Sequence, residues 1–282
     1  MSRPPGRPSR PGPLVTLLTD FGAREGYVGA MKGVLLSLNP RLRVVDLSHD
    51  VPAHDVGAGA LLLAQCYPFF PAGTIHVAVV DPGVGGPRRG LLVQAAGQFF
   101  VGPDNGLFTL VYDREARARV RALTRPAYFR HPVSSTFHGR DVFAPVAAHL
   151  SLGVPPTRLG PAVVDPVRLP WSRPVPGPSG VRGTVIHVDR FGNLITNIGQ
   201  ESCGGREVAG VVLGGRRVRV HRTYDDVRPG ELLALWGSSG LLEISVSRGR
   251  ADRRLRARVG TRVHARWRGP AHGRAQGSES EL

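Results

Sequence analysis

The 282-residue chain is 41% hydrophobic and carries a formal net charge of +16, from 37 basic and 21 acidic residues. That is apolar material for one large or two ordinary domains, while no run approaches the ~18 apolar residues of a membrane-spanning helix. Its two cysteines, Cys66 and Cys203, form neither a disulfide framework nor a metal-ligand spacing, so a reducing cytoplasm is the expected compartment. Residues 1–13 hold Arg, Pro and Gly without an apolar core, which makes them a disordered arm and not a secretory signal. Leu14 to Thr19 reads as a first strand. Tyr27 to Leu38 has helical spacing, with Gly26 before it and Asn39-Pro40 stopping it. Leu42 to Leu47 is a second strand, Asp55 caps a helix running through Ala60 to Gln65, and Thr74 to Val80 is a third strand. This β-α-β-α-β order predicts a mostly parallel sheet covered by helices, occupying residues 14–168. Leu91 to Gln94 and Gln98 to Val101 read as shorter strands about a turn at Gly97. Asp141 to Leu150 reads as a helix with Asp141 near its positive end.

Residues 169–180 form a proline-rich linker. Beyond it, short alternating runs at 183–188, 208–213, 217–220, 232–236 and 241–246 predict a smaller antiparallel β-barrel domain over residues 181–267. Residues 268–282 read as a disordered tail. The fold class is therefore α/β with an added barrel. The basic excess is arginine, since Lys32 is the single lysine. No aromatic-interleaved RNA motif, zinc finger or basic helix accompanies it. An arginine-rich coding bias on a solvated surface explains it, and nucleic acid is not an expected partner.

The third strand ends on Asp81, which opens the stretch Asp81-Pro-Gly-Val-Gly-Gly-Pro-Arg-Arg-Gly90. Carboxyl ends of strands in open α/β sheets are where ligand crevices form. Gly83, Gly85 and Gly86 with Pro82 and Pro87 dictate a tight loop, from whose far end a guanidinium can fold back onto Asp81. No P-loop Lys-Ser/Thr follows the glycines, so a phosphate cradle is not expected. Other polar residues gather at strand ends and loops: Asp20, Arg88, Asn105 and His138 in the first domain, and Asp189, Asn193, Ser238 and Ser239 in the second. His49-Asp50 and His54-Asp55, with His138 and Asp141, could suggest a metal. However, they lack helical i, i+4 spacing and Pro52 intervenes, so capping and turn roles are expected and no metal.

Six motifs occur in order: Thr19-Asp-Phe-Gly22; Asp81-Pro-Gly-Val-Gly85 with Arg88; Gly102-Pro-Asp-Asn-Gly106; Phe137-His-Gly-Arg-Asp-Val-Phe-Ala-Pro145; Asp189-Arg-Phe-Gly-Asn193 with Thr196-Asn197; and Ser238-Ser-Gly-Leu-Leu-Glu-Ile244. Together, over residues 14–267, they resemble the S-adenosyl-L-methionine (SAM) hydroxide adenosyltransferases, relatives of the SAM-dependent fluorinating and chlorinating enzymes. The resemblance implies attack of water on C5′ of SAM, releasing adenosine and L-methionine, with SAM as substrate and no cofactor. It implies a homotrimer with each site completed between subunits. Asp81, Arg88 and His138 would activate the water; whether the base is Asp81, His138 or the set together is left open. Asp20 would take the ribose hydroxyls, Asn193 and the backbone at Ala251 the adenine, Asp189 the methionine ammonium, and Ser238 and Ser239 its carboxylate. Asn105 belongs to the same implied binding set. Ser247-Arg-Gly-Arg-Ala-Asp252 departs from the Asn-rich turn of the relatives. A halide needs no deprotonation, so keeping all three activating residues favours hydrolysis over halogenation. An arginine-rich nucleic-acid-binding protein is the third and weakest reading.

Overall fold

The computed structural model describes residues 12–268, so the expected arm and tail fall almost wholly outside the described residues. Two compact units divide between Pro170 and Trp171. In the first, β1 (Leu14–Thr19), α1 (Tyr27–Leu38), β2 (Arg43–Ser48), α2 (Val56–Cys66) and β3 (Ile75–Val79) follow the expected alternation. They are succeeded by β4 (Gly90–Ala95), β5 (Gln98–Pro103), α3 (Thr109–Arg114), β6 (Arg119–Ala122) and α4 (Ala144–Ser151). The sheet order is β2-β1-β3-β5-β4-β6. β1 is parallel to β2 and β3, β3 is parallel to β5, and β4 runs antiparallel to β5 and β6.

The apolar runs explain this layering. Every residue of β3 is buried, as befits a strand covered on both faces. Val15, Leu17, Val77 and Val79 pack with Met31 and Leu35 of α1 and with Val146 and Ala147 of α4. α1 buries Val28, Met31 and Leu35, one stripe at helical spacing. Asp55 caps α2 as expected, its Oδ1 accepting from Ala58 N–H at 2.8 Å. The β4–β5 hairpin turns at Ala96 and Gly97, both with positive φ (52° and 71°), the requirement of a two-residue turn matched to strand twist.

The second unit contains β7 (Val175–Gly177), β8 (Gly180–Val188), β9 (Leu194–Gly199), β10 (Val208–Leu213), β11 (Arg216–Arg219), β12 (Leu232–Trp236), β13 (Leu241–Val246), α5 (Ala251–Leu255) and β14 (Arg262–Trp267). Its strand order is β11-β10-β14-β8-β9-β13-β12, with β7 paired on β8. His221 N–H donates to Ala234 O at 2.8 Å beside a Val220–Ala234 bridge, which nearly closes the sheet into the expected barrel. Part of the proline-rich stretch is thus strand: β7 lies within residues 169–180. β9 and β14 were not anticipated. β9 carries the polar pair Thr196-Asn197, and β14 alternates exposed arginines with buried Val263 and Ala265. Among the described residues no helix is long and apolar enough to cross a membrane.

Candidate active site

Asp81 stands just beyond β3, and the loop that follows returns to β4 at Gly90. Arg88 folds back along this loop: its Nε donates to Asp81 Oδ1 at 2.9 Å, and its Nη2 donates to Oδ2. Both side chains are largely withdrawn from solvent, at 4% exposure for Asp81 and 12% for Arg88. The Arg88 guanidinium lies 5.5 Å from the centre of the Phe143 ring, a cation–π contact. Arg89 turns the opposite way, to Asp104 and Asp165. The loop needs its glycines. Gly85 has φ +77°, and a Cβ there would lie 2.1 Å from the Ser135 carbonyl oxygen.

His138 arrives from the segment ahead of α4. Its Nδ1 is 2.8 Å from Arg88 Nη2. A guanidinium can only donate, so Nδ1 accepts, the imidazole is neutral, and its remaining hydrogen sits on Nε2. Burial, and then the positive charge of Arg88, push the His138 pKa below its ordinary value, outweighing the opposing pull of Asp81 and Asp141. Asp81, Arg88 and His138 therefore form one hydrogen-bonded chain, centred on the arginine.

Two further residues occupy the same unit. Asp20 follows β1, and its Oδ2 accepts from His54 N–H at 2.9 Å. Asn105 uses both ends of its amide on backbone, donating to Val80 O at 2.8 Å and accepting from Leu107 N–H at 3.2 Å. Asn105 thus braces the turn at residues 103–106 against the end of β3. His49 hydrogen-bonds Thr19 Oγ1 at 2.8 Å and stands 3.1 Å from Asp46. Among the described residues no group of three or more His, Cys, Asp or Glu side chains is arranged to hold a metal ion.

In the second unit Asp189 and Asn193 meet across a five-residue turn. Asp189 Oδ1 accepts from the N–H groups of Phe191 and Asn193, and Oδ2 accepts from Asn193 Nδ2, each at 2.9 Å. Arg250 Nη1 donates to Arg190 O at 3.0 Å and its Nη2 to Asp252 Oδ2 at 2.8 Å, while Asp252 N–H donates to Gly192 O. The arginine in the departing turn therefore staples the start of α5 to the turn that carries Asn193. Beside it lies a cavity of about 590 Å³, lined by Phe191, Asn193, Tyr224, Ser247, Arg248 and Arg250 among others. Ala251 is fully buried at the start of α5. Ser238 and Ser239 sit in the β12–β13 turn, at the other end of β13. Leu241 pairs with Gly199 there, whereas Ile244 pairs with Leu194, next to Asn193. Trp236 packs against the barrel core.

Two residues at the first site escaped the sequence reading. Asp141 is fully buried and belongs, with Phe143, to a wide helical turn over Gly139–Phe143. Its place three residues after His138 suggests a charge at a helix start or a weak metal-ligand pair, and neither reading points to this turn.

Residues 15–160 match the family model described as the SAM hydroxide adenosyltransferase N-terminal domain, and residues 183–264 match the C-terminal domain of the same family. The chain is 44% identical over 257 residues to the (R)-S-adenosyl-L-methionine hydrolase of Thermus thermophilus, covering 88% of this chain and 98% of that protein. It is 27% identical over 218 residues to a fluorinase from an Actinoplanes species, covering 68% and 73% respectively. The crystal structure of an uncharacterized conserved protein from Thermotoga maritima superposes with a TM-score of 0.82 at 35% identity, over 88% of this chain and 98% of that one.

Proposed function

The chain belongs to the SAM hydroxide adenosyltransferase family, and on that premise we propose that it hydrolyses SAM at C5′ to give adenosine and L-methionine. The observation that carries the reading is the Asp81–Arg88–His138 chain at the carboxyl end of β3. The higher identity to a hydrolase than to a fluorinase favours water over halide as nucleophile.

The leaving group departs from a sulfonium as a neutral thioether, so no acid is needed at sulfur. The task of the protein is to hold a water in line with the C5′–S bond and to accept its proton. We assign the acceptor to Asp81. His138 Nδ1 is committed to Arg88 and its Nε2 already bears hydrogen, so the ring is fitted to donate to the oxygen of the water, not to receive its proton. Arg88 holds both Asp81 oxygens by their inner lone pairs, leaving the outer ones for that water. As the O–C5′ bond forms, the electron pair of the C5′–S bond passes to sulfur. The proton passes to the Asp81 carboxylate and from there to solvent.

The remaining roles follow the family pattern. Asp20 takes the ribose hydroxyls, Asn193 and the backbone at Ala251 take adenine, and Asp189 takes the methionine ammonium. Ser238 and Ser239 take the methionine carboxylate, and Asn105 supports the binding set as the brace of its loop. SAM and water suffice as reactants, without a cofactor. The proposed assembly is a homotrimer in which a neighbouring subunit completes each site, and the proposed compartment is the cytoplasm.

The experiment is incubation of the purified protein with SAM in 18O-labelled water, with mass spectrometry of the products. Adenosine bearing 18O at its 5′ oxygen, together with methionine, is expected. An absence of adenosine, or a 5′-halo product when chloride or fluoride is added, would reject the reading.

A further inference from the structure

The hydrolytic set leaves one buried charge nearby unexplained. Asp141 is 0% exposed, and its carboxylate accepts four hydrogen bonds. Ser134 N–H reaches Oδ2 at 2.9 Å, Arg140 Nε reaches Oδ1 at 2.7 Å, Arg140 Nη2 reaches Oδ2 at 2.8 Å, and Arg130 Nη1 reaches Oδ1 at 3.3 Å. Its backbone carbonyl accepts from Arg130 N–H at 2.8 Å. Burial pulls its pKa up, but the bonds from Arg140 and Ser134 outweigh this and hold the carboxyl below its usual range. Burial of a carboxylate carries a desolvation cost, which these bonds offset by tying residues 130–134 to the carboxylate.

That segment runs directly into Ser135, whose carbonyl lies against Gly85 in the Asp81–Arg88 loop. Arg140, held by Asp141, also lies 4.9 Å over the Phe137 ring, next to His138. The turn itself completes the link. Ala144 N–H donates to Gly139 O, an i→i+5 bond that widens the helix over Gly139–Phe143. Residues five apart in an ordinary α-helix point about 140° away from each other. The wide turn instead lets His138 and Phe143 both reach Arg88, one at 2.8 Å through Nδ1 and the other 5.5 Å from guanidinium to ring centre.

We propose that Asp141 is a positioning residue for the hydrolysis. It clamps residues 130–135 onto the glycine loop and anchors the wide turn, and so fixes Arg88 between Asp81 and His138. The inference rests on the reading of those three residues as the hydrolytic set.

The test compares wild type with Asp141→Asn, Arg140→Gln, His138→Ala and the doubles Asp141→Asn/His138→Ala and Arg140→Gln/His138→Ala. Adenosine release gives kcat and KM, calorimetry gives the SAM dissociation constant, and thermal melts report folding. Asp141→Asn is expected to lower kcat about tenfold or more while SAM affinity stays within about threefold, since misalignment affects the reacting geometry more than binding. In the His138→Ala background the same change should cost clearly less than in wild type, because the Arg88–His138 contact that it aligns is gone. Arg140→Gln keeps the carboxylate and removes two of its donors; it should lower kcat several-fold (about threefold or more) with the same loss of effect beside His138→Ala. If Asp141→Asn does not fold, Arg140→Gln decides. Wild-type kcat in the folded variants, or costs that simply multiply with that of His138→Ala, would overturn the positioning role. A wild-type protein that releases no adenosine would instead overturn the hydrolase reading.

Discussion

Arg88 donates to Nδ1 of His138 at 2.8 Å while its other contacts grip Asp81. The arginine therefore sets the protonation state of the histidine as well as the orientation of the aspartate. His138 is held below its ordinary pKa by burial and by the Arg88 charge. Loss of the neutral ring should begin only as the pH falls below the ordinary histidine value of about 6.5. Wild-type kcat/KM should accordingly stay level down to that pH and decline below it. Arg88→Gln removes one of the depressing influences and leaves Asp81 and Asp141 pulling the other way, so the acid limb of the pH–rate profile should move to higher pH. An unmoved limb, or one displaced to lower pH, would show that His138 is not the group titrating.

Asp81 is the assigned proton acceptor. Asp81→Asn keeps the shape and a hydrogen-bonding oxygen but cannot take a proton from water at neutral pH. A fall in kcat of about 10²–10⁴-fold is expected, the scale of a lost general base. SAM affinity by calorimetry should change little. Full turnover in Asp81→Asn would transfer the base role to His138.

Gly85 gives a purely steric test. Alanine there faces a positive φ and a backbone oxygen 2.1 Å from its Cβ, whereas Gly73, with φ +82°, has nothing within 4 Å of an added Cβ. Gly73→Ala bears the backbone strain alone, roughly 1–2 kcal/mol. Gly85→Ala bears that strain and must also push the Ser135 segment away. Melting curves should place Gly85→Ala lower by several degrees than Gly73→Ala, and only Gly85→Ala should lose kcat. Equal melting temperatures would mean that the two loops are not in contact.

Much of this was legible because the chemistry lay next to strong local signals. The run before Asp81 is apolar almost throughout, so its strand and the position of its carboxylate could be read directly, and the glycines after it announced the loop. Asp55 was readable as a cap because the apolar helix began immediately after it. Other features depended on tertiary context. The wide turn at Gly139–Phe143 has no periodicity of its own, and its effect, bringing His138 and Phe143 to one guanidinium, emerges only once Arg88 has folded back. Asn105 looked like a ligand-binding amide in a turn, yet its partners Val80 O and Leu107 N–H are backbone groups that no spacing rule identifies. β14 was hidden for a different reason: its arginines drew attention to charge, while the alternation of Val263 and Ala265 with them is the ordinary signature of a strand buried on one face.

The sheet holds a second neutral histidine, remote in role from catalysis, that makes stability depend on pH. His76 is 0% exposed in β3, and its Nδ1 lies 2.7 Å from Thr16 Oγ1 and its Nε2 3.2 Å from Gln98 Oε1. The ring stacks on Phe100 with centroids 4.9 Å apart. Burial pushes its pKa from 6.5 down to about 4, against the upward pull of the Gln98 bond. Between those values the unfolded chain binds a proton that the native state does not. Stability from this site is therefore complete above pH 6.5 and is lost progressively as the pH falls toward 4. The full loss corresponds to about 3 kcal/mol. Urea unfolding at pH 7.5 and pH 4.5 should show wild type losing roughly that much more stability than His76→Gln, whose side chain does not titrate. His76→Gln will itself start less stable at pH 7.5, because it leaves a gap beside Phe100 and disturbs the Thr16 and Gln98 bonds, so the informative quantity is the difference in pH dependence. Parallel losses in the two proteins would show that the buried imidazole does not control the acid sensitivity of the first unit.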